Sequence, residues 1–197
     1  MTERNETCGS IDAAELVIDP QEIARRMRIP QGEDLPAAED CLKDLLGVCR
    51  CRYASVRTPV KVREDCVDLG FTSVKSKQLS KVLEGCGEAF VFGVTLGSGV
   101  DTLLRRLSVM SPLEHFITDA LASALAEALT DEVDGRLSAE LRCAKRYSPG
   151  YGDLSLEMQK EVLGTLDSVK TLGITLTDSL LMTPTKSVTA ILGIYDE

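Results

Sequence analysis

The residues best suited to ligand chemistry form one string, Arg146-Tyr147-Ser148-Pro149-Gly150-Tyr151-Gly152-Asp153. Proline and glycine in this order define a turn, flanked by a cation and two aromatics. An arginine can hold a carboxylate through two parallel hydrogen bonds. A tyrosine can stack on a base or lie against a cation. Gly150 and Gly152 let a ligand come close to backbone amides. On these grounds alone a structural loop and a binding loop are equally good readings. A second candidate is Leu96-Gly97-Ser98-Gly99, after an apolar run and before a helical stretch, the setting of a phosphate loop. It lacks a third glycine and an acidic residue about 20 positions on, so it reads as a plain strand-to-helix turn.

Seven cysteines are present, and only Cys49 and Cys51 stand close together. A single C-x-C without a second pair is a weak metal signal. The cysteines therefore read as small buried hydrophobes in a reducing compartment, with no metal expected. His115 is the one histidine, which excludes mechanisms needing two. With 22 basic and 31 acidic residues the net charge is −9, which argues against nucleic acid as a partner. No stretch approaches the roughly 18 consecutive apolar residues of a membrane span, so no membrane partner is expected. The first ten residues are polar, and the expected address is the cytoplasm.

These residues need elements to position them. A length of 197 residues suits a single domain over 1–197. A short strand is expected at 15–18. Asp19 then caps a helix opened by Pro20, with Ile23, Ala24 and Met27 on its apolar face. Residues 30–36 read as a polar loop and 37–51 as a second helix, with Cys41, Leu42, Leu45, Leu46 and Cys49 inward. Strands are expected at 55–62 and 66–74, then a short helix at 77–83. The run Ala89 to Leu96 has the continuous apolar character of a strand buried on both faces. Helices are expected at 101–110, from a Ser111 cap through Leu129, and after a break at 132–143. A helix at 155–170 stops at Gly173, and two strands at 175–182 and 187–194 close the chain. Strands at both ends with helices between them give an α+β class, with a largely antiparallel sheet and a central helical segment.

The loop string resembles the Arg-x-x-Pro-Gly-Tyr signature of the activation domain of cobalamin-dependent methionine synthase. Its Pro-Gly-Tyr-Gly-Asp extension resembles the stand-alone bacterial form of that domain. Gly173-Ile174-Thr175-Leu176-Thr177-Asp178-Ser179 and Met182-x-Pro184-x-x-Ser187-Val188-Thr189 resemble the family's closing blocks. Asp119 to Leu129 is similar to its alanine-rich helix with an internal glutamate, here Glu127. The resemblance covers about the last 50 residues, with a weaker match upstream.

The resemblance implies binding of S-adenosylmethionine. Arg146 would hold the methionine carboxylate, and Pro149, Gly150 and Tyr151 would border the adenosine. Ser187 and Val188 would line the site from the closing strands. Glu127 would face the sulfonium or the amino group, with Asp119 two turns away on the same polar edge. Two departures stand out: Ser155 where the family carries proline, and Leu192 and Ile194 where it carries a ligand-contacting aromatic. The chain has no Asp-x-His-x-x-Gly loop for cobalamin, so the corrinoid would belong to a partner, a cobalamin-binding methionine synthase or corrinoid protein. An electron-donor protein would complete the system. The alternative is a non-catalytic interaction module of the same fold that has lost the cofactor. A Rossmann-type methyltransferase built on Gly97 and Gly99 is disfavoured because βαβ alternation is missing.

Overall fold

The computed structural model describes residues 6–27 and 36–196. Strand β1 (Glu6–Ser10) is the first described element, in a stretch for which the sequence predicts none. The expected strand at 15–18 is absent; a 3-10 turn spans Ala13–Glu15, closed by Ala14 N–H donating to the Asp12 carboxylate at 3.0 Å. Helix α1 (Pro20–Met27) starts as expected, with Gln21 N–H donating to Asp19 at 2.8 Å. The expected loop at 30–36 lies outside the described residues except for Pro36, which opens α2 (Pro36–Val48). Strand β2 (Arg52–Pro59) is followed by three short strands, β3 (Lys61–Arg63), β4 (Cys66–Asp68) and β5 (Ser73–Lys75). The sequence predicts one strand over 66–74; Gly70, at φ +78°, turns the chain and makes it two. Helix α3 (Lys77–Val82) leads into β6 (Cys86–Thr95), α4 (Ser98–Met110) and α5 (Pro112–Ser138).

Helix α5 runs 27 residues without the expected break. Leu129 and Val133 are fully buried and continue its apolar stripe at four-residue spacing. Gly135 costs about 1 kcal/mol of propensity, too little to stop a helix packed along its length. The expected helix at 155–170 is instead two, α6 (Met158–Thr165) and α7 (Ser168–Thr171), parted by Asp167 in the left-handed region at φ 45°. The expected strand at 175–182 is a small hairpin of β7 (Thr175–Leu176) and β8 (Met182–Thr183), closed by Leu181 N–H donating to Thr177 Oγ1 at 3.1 Å. Strand β9 (Ser187–Tyr195) ends the fold.

The main sheet has the order β1-β2-β6-β9 and is antiparallel throughout. Side chains alternate between its faces. Phe92, Val94, Ala190 and Leu192 pack on α2, α4 and α5, in one core with Leu45, Leu103, Ile117 and Leu125. Ala54, Val56, Ala89, Val91 and Ile191 face a second core, built with Leu79, Val162, Leu166 and Val67. The paired strands β6 and β9 are shared by both cores. Fold class and the central helical segment are as the sequence reading has them. The Gly97-Ser98-Gly99 turn is a packing device. A Cβ on Gly99 would sit 2.5 Å from the Val48 carbonyl, so glycine lets the end of α2 lie against the start of α4.

All seven cysteines are free thiols; Cys41, Cys49, Cys51 and Cys86 are buried, Cys66 and Cys143 half-buried, and Cys8 exposed. Cys49 is held protonated, because a hydrogen bond to Cys51 and burial both push its pKa up. Among the described residues no three His, Cys, Asp or Glu side chains are grouped to hold a metal. In the native protein a thiol reagent should label Cys8 first, with Cys49 reacting only on unfolding. Elemental analysis should find no stoichiometric zinc or iron. Rapid native labelling of Cys49, or one bound metal per chain, contradicts this account.

Candidate functional site

Beyond α5 the chain returns along the free edge of β9. Ala144 N–H donates to the Gly193 carbonyl at 2.9 Å, and Tyr147 and Ile191 exchange two bonds of 2.8 Å. Two isolated bridges, Cys143 with Ile194 and Tyr147 with Ile191, tie this segment to β9, with a one-residue shift of register between them. Arg146 turns to the α5 layer. Tyr147 turns to the layer that contains α3.

On the α5 side three carboxylates meet the guanidinium. Arg146 Nη1 donates to Asp131 at 2.6 Å and Asp134 at 3.2 Å, and Nη2 donates to Glu127 at 3.4 Å. Positions 127, 131 and 134 lie on one helix face by spacing. Burial opposes the arginine's charge, but hydrogen bonds to Asp131 and Asp134 outweigh it and hold the group protonated. Beside this cluster lies a cavity of about 580 Å³, lined by Gln78, Glu127, Asp134, Lys145, Arg146, Tyr147, Ser148, Tyr151, Gly152 and Val188. A second cavity of about 380 Å³ shares Glu127 and Tyr151 with it and reaches Asp131 and, from the α1 region, Asp19, Glu22, Arg25 and Arg26.

The far end of the loop is fixed to α3. Asp153 accepts hydrogen bonds from Ser76 Oγ and from the backbone N–H groups of Lys77 at 2.8 Å and Gln78 at 3.3 Å. These are the unpaired donors of a helix start, supplied with an acceptor from across the fold. The Tyr147 hydroxyl lies 2.7 Å from Gln78 Oε1 and 3.1 Å from the Tyr151 carbonyl. Desolvation first, and the Asp153 charge second, push the Tyr147 phenol up, so it stays a neutral hydroxyl.

The structure gathers Arg146, Glu127, Tyr151 and Val188 around the larger cavity. Tyr151 is 62% exposed and edges toward the Tyr147 ring, centroid to centroid 6.4 Å. Pro149 is buried beneath the loop and outside the lining. Gly150 takes φ +88°, and its N–H donates to the Leu154 carbonyl at 2.9 Å, which closes the turn. Ser187 is held away from the cavity: its hydroxyl donates to the Pro184 carbonyl at 2.7 Å and sits 2.8 Å from Thr95 Oγ1. Asp119 does not join Glu127, because Lys186 Nζ holds it at 2.7 Å and binds Ser123 Oγ at 2.7 Å as well. Gln78, Lys145, Asp131 and Asp134 were not expected. Asp131 and Asp134 share the heptad-like spacing of Glu127, a signal hidden by the break expected between 129 and 132.

The family of the vitamin B12 dependent methionine synthase activation domain matches residues 84–196, more than half of the chain. The chain belongs to this family. The crystal structure of the MetH reactivation domain bound to AdoHcy is similar in fold, with a TM-score of 0.73 at 16% identity over 96% of this chain and 78% of that one. No curated protein sequence matches. In this activation domain the matched stretch holds β6 to β9, α5 and the whole Arg146–Asp153 loop. The α3 helix that anchors the loop lies before it. Among the described residues no helix is long and apolar enough to cross a membrane.

Hydrogen bonds from Ser76, opposed in part by desolvation, and then from Lys77 and Gln78 N–H hold the Asp153 pKa below its ordinary value. A depressed carboxylate pKa stabilises the fold above the unfolded value, near 3.9, and loses that contribution as pH falls through the folded one. Asp153→Asn should therefore be less stable than wild type at pH 6 and above. The two curves should converge as acidification carries the pH down through the folded value. Urea unfolding across pH measures this; a difference that grows on acidification would contradict it.

Proposed function

We propose that the chain binds S-adenosylmethionine in the cavity beneath the Arg146–Asp153 loop. There it would present the methyl group to the reduced cobalamin of a partner, a methionine synthase or another corrinoid protein. Reduction of that cobalt falls to an electron-donor protein. The observation that carries the reading is the charge pattern of the cavity. S-adenosylmethionine has one carboxylate and two cationic centres, the ammonium and the sulfonium. The lining offers Arg146 and Lys145 against Glu127 and Asp134, with Asp131 alongside. A volume of about 580 Å³ falls in the range of small-molecule sites. The solved relative holds AdoHcy, the same ligand without its methyl group.

The bound ligand supplies an activated methyl group; the chain supplies orientation and electrostatics. Arg146 takes the carboxylate. Glu127 accepts from the ammonium or faces the sulfonium. Tyr151 and Val188 offer flat and apolar surface to the adenosine, which Pro149 and Gly150 border by shaping the loop. Ser187 supports from behind, through the turn it ties to Thr95. The guanidinium must exchange one of its present partners for the ligand carboxylate. Asp131 is the one to leave, at 65% exposure. An exposed pair of this kind contributes at most about 1 kcal/mol, less than the roughly 1.5–3 kcal/mol of a desolvated charge-assisted contact.

Titration calorimetry with S-adenosylmethionine tests the reading. Arg146→Ala should weaken binding about ten- to a hundred-fold, and Arg146→Lys should rescue poorly because a point charge cannot copy the planar fork. Asp131→Asn should tighten binding a few-fold, since it removes the competitor. Equal binding by wild type and a folded Arg146→Ala variant refutes the role of Arg146. No binding at millimolar ligand leaves the non-catalytic interaction module.

A further inference from the structure

We propose that Gln78, on α3, contacts the nucleoside end of the ligand, and that Asp153 is the positioning residue that holds it there. The inference rests on the S-adenosylmethionine reading above. It gives the α3 helix, which lies before the family-matched stretch, a direct part in the site.

Gln78 borders the same cavity as Arg146, from the opposite side of the sheet edge. Its amide oxygen lies 2.7 Å from the Tyr147 hydroxyl, which also lies 3.1 Å from the Tyr151 carbonyl. One half of the Gln78 amide is thus engaged. The other half makes no hydrogen bond among the described residues, and the residue lines the cavity. The residue is held in place twice. Asp153 accepts from the Gln78 and Lys77 N–H groups and from Ser76, which fixes the first turn of α3. Gly152, at φ +53°, lies so close that a Cβ there would run into the Gln78 amide and the Tyr147 hydroxyl.

The polarity of the lining assigns the ligand end. Glu127, Asp134, Lys145 and Arg146 form a charged side, suited to the amino-acid end of the ligand. Gln78, Tyr147, Tyr151 and Gly152 form a neutral side. A carboxamide both donates and accepts, which fits the ring nitrogens and hydroxyls of a nucleoside.

The test compares S-adenosylmethionine with methylthioadenosine, which keeps the nucleoside and lacks the amino-acid end, by calorimetry on the full chain. Gln78→Ala should weaken both ligands about three- to ten-fold, the size of one neutral hydrogen bond. Arg146→Ala should weaken only S-adenosylmethionine. Asp153→Ala should weaken both. In the Asp153→Ala/Gln78→Ala double variant the loss should be no greater than for the larger single effect, because one residue acts through the other. Additive losses would overturn the positioning role. Wild-type affinity for both ligands in a folded Gln78→Ala protein would overturn the contact. If the variants fail to fold, the Gln78 side-chain amide resonance of ¹⁵N-labelled wild type decides. It should shift on saturation with either ligand, and an unmoved resonance overturns the proposal. Binding of neither ligand by wild type would instead bring down the S-adenosylmethionine reading, and this inference with it.

Discussion

The pairing of residues 142–147 with the outer edge of β9 is the constraint on which the site depends. Two bridges fix the segment there, and Arg146 and Tyr147 face opposite layers. One meets carboxylates on a long helix and the other meets the amide of Gln78. The cavity opens where the two layers part beyond the sheet edge. A one-residue slip of this pairing would exchange the two side chains and dismantle both sets of contacts at once. The pairing also covers the edge of β9, which would otherwise present unpaired backbone groups to solvent.

The electrostatics follow from that placement. Glu127, Asp131 and Asp134 crowd three negative charges onto one helix face, and like charges four residues apart weaken a helix by a few tenths of a kcal/mol. Arg146 relieves the crowding and is itself kept in one conformation. The arrangement resembles a loaded clamp: the cation is held ready, and its most exposed partner, Asp131, is the one most easily exchanged. Asp119, only two turns earlier, is removed from this set by Lys186, which ties the start of β9 to α5. Two carboxylates of one helix thus have different duties because different basic residues reach them.

Much of this was legible in residue order. The apolar run of β6, the Ser111-Pro112 helix start and the Asp19-Pro20 cap are local signals, and they hold in the structure. The loop string singles out Arg146 and Tyr151, and both line the larger cavity. What escaped is set by distance along the chain. No local pattern reveals that Asp153 accepts from Ser76, 77 residues away, or that Gln78 therefore borders the Arg146–Asp153 loop. Likewise the resemblance implies Ser187 as a site residue, yet Thr95 and Pro184 take its hydroxyl. The split of α6 from α7 rests on a left-handed Asp167, a conformation that asparagine and glycine announce better than aspartate does.

The glycines of the loop show how the same residue type can carry different requirements. Gly150 takes a positive φ and bonds its N–H to the Leu154 carbonyl, so its freedom serves the turn and its amide is closed to a ligand. Gly152 also takes a positive φ, but its lack of a Cβ is what lets α3 approach. Asp153 then fastens that approach. The loop is consequently held at one end by β9 and at the other by a helix start, while Tyr151 between them stays exposed. Rigid ends with an exposed aromatic at the middle suit a site that must orient a ligand and still leave one side open. The loop's two anchors and its bare tip are thus parts of one geometry, a wall fixed at both ends with Tyr151 exposed between them.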